Sequence, residues 1–451
     1  MKTPLNDFLE EYVKENKTRF HMPGHKGRAF IGVEKYDITE VEGADVLYAA
    51  EGVLKESMEN ASTLFGTGKT LYSTEGSSLS IRAMVYLLKL YALSQGRNPK
   101  IAAFRNAHKT FITACALTGT EIEWLYGKEN KGITCCNISA DEVRSYLDRT
   151  EELPAAVYVT SPDYLGNMAD IKALSALCRE KGIILAVDNA HGAYLSFLPE
   201  NLHPIHLGAD ICCDSAHKTL PVLTGGAYLH ISKTAPDLFS EKAEYALSLF
   251  ASTSPSYLIL CSLDKINSLL ADDYAEKLAS FTEKVQSLRN KLVRMGYAFI
   301  GDEPLKLTFD SKKYGYKGTE LAQYLLHNSI VCEFSDRDYT VLMLTDSNSE
   351  QDFDRLLKAL GALPKKEMLT EAPPEITAPE RVLPLSDCIY LPTERISTEK
   401  ALGRVCGSIN ISCPPAVPVV IAGERIGKEQ TDLLKYYGIE EVEVVHPFVT
   451  P

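Results

Sequence analysis

Apolar positions along the chain follow two distinct rhythms. Continuous short runs, such as Gly182-Ile183-Ile184-Leu185-Ala186-Val187 and Ala209-Asp210-Ile211-Cys212-Cys213, are bounded by turn formers and lack alternation. Such runs predict strands buried on both faces. The same reading predicts strands over 100–104, 155–160 and 226–231. Between them apolar residues recur every three to four positions, which predicts helices at 5–15, 52–65, 79–88, 108–117 and 168–181. Strands alternating with helices imply an α/β fold, a mostly parallel sheet with helices on both faces. Residues 265–295 read as one long helical pattern. Beyond it, strands at 305–309 and 340–344 and helices at 319–326 and 351–360 predict a small α+β domain. The proline-rich stretch Glu371 to Pro379 predicts a linker before a C-terminal unit. The expected boundaries are an N-terminal segment 1–35, a large domain 36–265, the small domain 266–370 and a C-terminal domain 380–451.

Composition narrows the classes of function. Of 451 residues, 45% are hydrophobic and 24% charged, enough for a large core. A net charge of −13 without a basic run argues against nucleic-acid binding. Eleven cysteines, including the adjacent pairs Cys135-Cys136 and Cys212-Cys213, show neither framework nor zinc spacing. They read as buried thiols of a reducing, cytoplasmic compartment, with no metal site. Met1 to Asp7 lacks the apolar core of a signal peptide, and no run is long enough to span a membrane.

The chemistry concentrates at two predicted strand ends. Asp188-Asn189-Ala190-His191-Gly192 ends one strand, and Ser215-Ala216-His217-Lys218-Thr219 follows another. Charged groups at the ends of buried parallel strands face a ligand crevice. A lysine there can bond to an aldehyde, and a carboxylate can keep a pyridine nitrogen protonated. Together they are the minimum equipment for pyridoxal 5'-phosphate (PLP). Alone, each has a plainer reading, a solvated lysine or a capping aspartate; the pair, with His191 and His217 beside it, favours the cofactor. Gly76-Ser77-Ser78 at a helix entrance offers backbone N–H groups and hydroxyls to a phosphate, although serines before helices are mostly caps. Ser215 and His217 are candidates to complete that cradle, and Thr253, with Ser254, to add hydroxyls from a partner subunit. His108, opening a helix after a strand, is a candidate to stack on the ring, against the plain reading of a capping histidine. Gly66-Thr67-Gly68-Lys69-Thr70 resembles a nucleotide-binding loop only in its last residues, since Thr63 stands where that motif needs glycine.

Taken together, these segments resemble the bacterial ornithine/lysine/arginine decarboxylase family of PLP enzymes, in its short form without an N-terminal wing. The resemblance rests on Phe20-His21-Met22-Pro23-Gly24-His25-Lys26, Asp37-Ile38-Thr39-Glu40, Arg105-Asn106-x-His108-Lys109 and Ser161-Pro162-Asp163-Tyr164-x-Gly166. It continues through the Asp188 and Lys218 segments, Ser252-Thr253-Ser254-Pro255 and Ala401-x-Gly403-Arg404. It implies a PLP-dependent transferase fold of type I in a homodimer with shared active sites. Lys218 would carry the cofactor and His108 would stack on it. Departures lie on the substrate side: Gly225 replaces a glutamine, Ser408 a glutamate and Ala416 a glycine.

The expected function is decarboxylation of arginine, lysine or ornithine to its amine, a step of polyamine metabolism. Two rivals remain open. One is an aminotransferase or lyase reaction on another amino acid with the same cofactor. The other is a PLP-binding protein that has lost catalysis. Without Ser408's usual carboxylate, Glu42, Asp45 and Glu75 are the candidates to meet a substrate's distal cation.

Overall fold

A computed structural model describes residues 1–127, 132, 134, 138–409, 412–413 and 417–447. Cys135-Cys136 and Ala416 lie outside the described residues.

Seven strands, β1 (Lys69–Ser73), β2 (Lys100–Phe104), β3 (Glu121–Leu125), β4 (Ala156–Thr160), β5 (Ile184–Asp188), β6 (Ile211–Asp214) and β7 (Ala227–Ile231), form one sheet. Its order is β1-β7-β6-β5-β4-β2-β3. β5 and β6 run parallel, as do β2 and β3, whereas β7 is antiparallel to both β1 and β6. All residues of β5, β6 and β7 are buried, which is why these runs show no alternation. The helices that matter below are α1 (Pro4–Lys14), α2 (Val53–Phe65), α3 (Ser77–Ser94), α4 (Lys109–Thr118), α5 (Ala140–Leu147) and α6 (Ile171–Lys181).

The chain divides into two compact units. The first comprises Met1–Asn98, Ala155–Val157 and Ile171–Ala279. Within it α3 packs on β1, β5, β6 and β7, burying Leu79, Ile81, Met84, Val85, Leu87 and Leu88. The second comprises Pro99–Pro154, Tyr158–Asp170 and Ser280–Pro451. It contains a four-stranded antiparallel sheet of β8 (Phe299–Ile300), β9 (Lys306–Asp310), β10 (Phe334–Ser335) and β11 (Tyr339–Met343), in the order β10-β11-β9-β8. A separate apolar cluster around Cys406, Val420, Ile426, Leu434 and Val444 forms the core of its last 80 or so residues.

The long helical pattern after residue 265 is in fact two helices, Tyr257–Leu270 and Tyr274–Arg294. Asp272 and Asp273 interrupt it, and Asp273 accepts the Lys277 N–H that starts the second helix. Acidic residues favour helix entrances over interiors. Lys69 and Thr70 of the phosphate-loop look-alike begin β1, with no helix after them, so the loop cannot cradle a phosphate. Among the described residues no helix is long and apolar enough to cross a membrane.

Candidate active site

The parallel register sets Asp188 opposite Cys213, so the ends of β5 and β6 lie side by side in the first unit. Asp188 is only 2% exposed. Its Oδ1 accepts from the Ala190 N–H (3.2 Å) and from the Cys213 thiol (3.6 Å). Burial, helped by the charge of Asp188, pushes the Cys213 thiol well up, so it stays protonated and donates. A turn after β5 returns His191 over the end of β6. There Lys218 Nζ lies 2.8 Å from His191 Nε2. The contact is of hydrogen-bond length, so the imidazole holds the lysine amine in place at the end of β6.

Gly192 makes that turn possible. A Cβ there would lie 2.1 Å from Asn189 Oδ1. Lys218 itself sits on a one-turn helix, Ala216–Thr219, tied back through His217. The His217 N–H and Nδ1 both donate to the Gly226 carbonyl, at 3.1 and 2.9 Å. Burial, and less so the charge of Lys218, holds the His217 imidazole below its ordinary pKa, while the Gly226 bond opposes them.

The phosphate candidates join the same corner. Ser215 Oγ donates to Ser77 Oγ at 2.8 Å, linking the start of the lysine turn to the start of α3. Gly76 adopts φ +71° before α3, and its N–H donates to the Gly225 carbonyl at 2.7 Å. It therefore offers no backbone donor, and the phosphate candidates at the positive end of this 18-residue helix are Ser77 and Ser78, with Ser215 braced against Ser77. Gly225 has φ +101°, and a Cβ on it would sit 2.7 Å from the Thr74 carbonyl. Only glycine fits that conformation without moving the phosphate segment.

Beneath the corner lies a buried network that motif reading missed. Asp214, the residue before Ser215, accepts from His203 Nε2 (3.1 Å) and His230 Nε2 (3.2 Å) on Oδ2, and from Asn189 Nδ2 (2.7 Å) on Oδ1. Burial opposes ionisation of Asp214, yet the two histidines hold its carboxyl well below the usual range. Three such side chains within 4.8 Å of one another have the make-up of a metal site. The other ring nitrogens decide otherwise. His203 Nδ1 faces the Ile205 N–H, a donor, so it must accept and leave its proton on Nε2. His230 Nδ1 meets the Thr70 hydroxyl. With its proton on Nε2, His203 donates to Asp214 and does not ligate a metal, whereas the Thr70 hydroxyl can donate to His230 or accept from it. The signal in the sequence was a carboxylate inside an apolar run and a histidine in β7.

Other expected residues sit elsewhere. His108 belongs to the second unit, where it caps α4 and its Nδ1 accepts the Thr110 N–H at 3.2 Å. Thr253 is exposed in the loop whose Ser252 N–H donates to Glu75 Oε1 at 2.7 Å. That bond engages Glu75, and Asp45 is spent capping α2 through the N–H groups of Glu51, Gly52 and Leu54. The carbonyl of Ser408 accepts from the Cys406 thiol.

A lysine amine, a buried carboxylate at the neighbouring strand end and hydroxyls at a helix entrance fit PLP. The fold and corner define a PLP-dependent enzyme of fold type I. Comparison then fixes the family. Residues 3–301 match the Orn/Lys/Arg decarboxylase major domain and residues 365–445 the family's C-terminal domain. The chain belongs to the Orn/Lys/Arg decarboxylase family, and is an amino-acid decarboxylase. It is 30% identical to the uncharacterized Bacillus subtilis protein YaaO over 96% of this chain and 94% of that one. It is 29% identical to a Bacillus subtilis arginine decarboxylase, covering 95% and 92% of the two chains. The structure superimposes on the Escherichia coli constitutive lysine decarboxylase with a TM-score of 0.78 at 18% identity, over 99% of this chain and 82% of that one.

Proposed function

We propose that the protein decarboxylates arginine, with lysine the next candidate, and works in the cytoplasm as a homodimer in polyamine metabolism. The observation that carries this is the Lys218–His191 contact of 2.8 Å beside the buried Asp188. Arginine is favoured because relatives named arginine decarboxylase match along more than nine-tenths of both chains, whereas the matched lysine decarboxylase sequence covers 64% of this one. When bound, PLP supplies the electron sink that lets the bond to the carboxyl carbon break. Lys218 would hold the cofactor covalently, with His191 Nε2 positioning its amine. Asp188 accepts the pyridine N–H and keeps that nitrogen cationic. Ser77 and Ser78 would donate to the phosphate from the entrance of α3, the Ser215 hydroxyl would hold Ser77 in place, and His108 is the candidate for the ring face.

A homodimer finds support in the N-terminal segment. Phe20 and Phe30 are each 93% exposed and Ile31 74%, more apolar surface than a monomer usually leaves open.

Carbon dioxide release against α-keto acid formation, measured on arginine, lysine, ornithine and neutral amino acids, tests the reading. Stoichiometric release of carbon dioxide from arginine, abolished in Lys218→Ala, is the expected result. α-Keto acid as the product would make the enzyme an aminotransferase, and no turnover of any amino acid by PLP-loaded protein would leave a binding protein.

A further inference from the structure

A cavity of about 760 Å³ is lined wholly by residues of the second unit, none of which belongs to the Lys218 corner. Its lining includes Asn106, just past β2, and Thr160, the last residue of β4. These strands are neighbours, so both residues stand at the same edge of the sheet, where α/β folds bind ligands. Asn106 is 5% exposed, and its Oδ1 has no hydrogen-bond partner; Thr160 Oγ1, also buried, has none either. Buried polar atoms in folded proteins are nearly always paired, so an unpaired amide oxygen and an unpaired hydroxyl on one cavity leave room for a ligand's N–H groups.

The charge of the cavity says what kind of donor. Asp141, Glu142, Asp163, Asp170 and Asp302 line it, and no lysine or arginine does among its described lining. Some of these oxygens are committed. Asp163 holds its own loop through the Leu165 and Asn167 N–H groups, and Glu142 caps α5 through Ser139. Asp302 Oδ1 accepts the Met168 N–H. The excess of acceptors persists, and it repels phosphate and carboxylate ligands alike. Phe104, Ile138, Met168 and Ala169 supply apolar wall, and the carboxylates Asp141, Asp170 and Asp302 are exposed.

We propose that this cavity binds a linear aliphatic diamine or triamine. One ammonium donates to Asn106 Oδ1 and Thr160 Oγ1, the methylenes lie on the apolar wall, and the second ammonium meets the acidic rim. A divalent metal fits less well, because it needs several oxygens converging at about 2.0–2.6 Å, and among the described residues these carboxylates form no such cluster. The choice of an amine over other N–H cations rests on the decarboxylase reading, whose products are amines. The acceptor arrangement itself does not depend on it.

Calorimetric titration of the PLP-loaded protein with 1,4-diaminobutane tests the site, with butylamine and magnesium as controls. The diamine is expected to bind about tenfold or more tightly than butylamine, and to weaken as salt is raised. The double substitution Asp141→Asn/Asp170→Asn and the near-isosteric Thr160→Val should each lower the affinity several-fold, with unchanged circular dichroism. Lys218→Ala should bind the diamine as wild type does. That arm separates this site from the decarboxylase reading, since it needs no turnover. Absence of binding, equal affinity in the rim and Thr160 variants, displacement of the diamine by magnesium, or loss of binding in Lys218→Ala would each overturn the proposal.

Discussion

The Lys218 corner and the acidic cavity both stand where strands of the large sheet end, yet their polar groups are treated oppositely. At the corner, Lys218 meets His191, Ser215 meets Ser77, and His217 meets Gly226, all at 2.8 to 3.1 Å. In the cavity, Asn106 Oδ1 and Thr160 Oγ1 meet nothing. The first is a pre-organised frame, in which little side-chain freedom remains to be lost when a covalent cofactor arrives. The second keeps its acceptors unpaired, which suits a ligand that comes and goes. One protein thus fixes one guest and leaves room for another.

The sharpest way to break the contrast is Asp188→Asn. A neutral amide cannot hold the pyridine nitrogen cationic, while the phosphate and lysine contacts remain. Turnover should fall by about 10²-fold or more, with PLP retained at nearly wild-type affinity. Carbon dioxide release and a fluorescence titration of PLP measure the two effects, and undiminished turnover would show that the corner is built around another residue.

Next comes the network below. In Asp214→Asn the new amide must turn its NH₂ either toward the Asn189 NH₂ or toward two histidine N–H groups. Breaking a buried charged cluster costs about 3–5 kcal/mol, readable by urea unfolding. The wild type should also lose stability in mild acid. Burial holds His230 below its ordinary pKa despite the pull of Asp214. Below about pH 6.5 the unfolded chain takes up a proton that the folded one refuses. Stability is then full above that pH and falls by as much as about 1.4 kcal/mol per unit as pH drops further, until the folded imidazole protonates. His230→Gln should flatten that slope in urea midpoints measured between pH 5 and 7.5; an unaltered slope would assign the effect elsewhere.

The smallest effect is expected from Gly225→Gln, which restores the residue found in the resembling family. At φ +101°, with its Cβ 2.7 Å from the Thr74 carbonyl, glutamine should destabilise by about 1–3 kcal/mol. It should also loosen PLP, because the Gly225 carbonyl holds the Gly76 segment. Tighter PLP binding and a raised Tm would mean the corner is less rigid than it looks.

The α/β alternation was legible because β5, β6 and β7 are buried along their whole length, and Lys218 and Asp188 stand at their ends. The network around Asp214 was not, since His203, Asp214 and His230 come together only when β6 pairs with β7. Nor was the cavity, because Asn106 and Thr160 are 54 positions apart in sequence and share an edge only through the order of strands. The short strand β3 was missed because Glu121 and Glu123 interrupt its apolar positions, and the break at Asp272-Asp273 was masked by helical spacing on both sides.

Arg105 carries a consequence for how such chains descend. Its guanidinium is buried over the Trp124 ring at 4.8 Å, bonds to the Val419 carbonyl at 3.1 Å and lies 3.6 Å from Glu424, itself 3% exposed. Two of those partners come from the far end of the polypeptide, while Arg105 stands three residues before His108. A lineage that traded its last 80 or so residues for another sequence would strand a positive charge beside His108, the residue proposed for the cofactor ring. The two stretches are therefore heritable only as a pair, and a change at one end must be answered at the other.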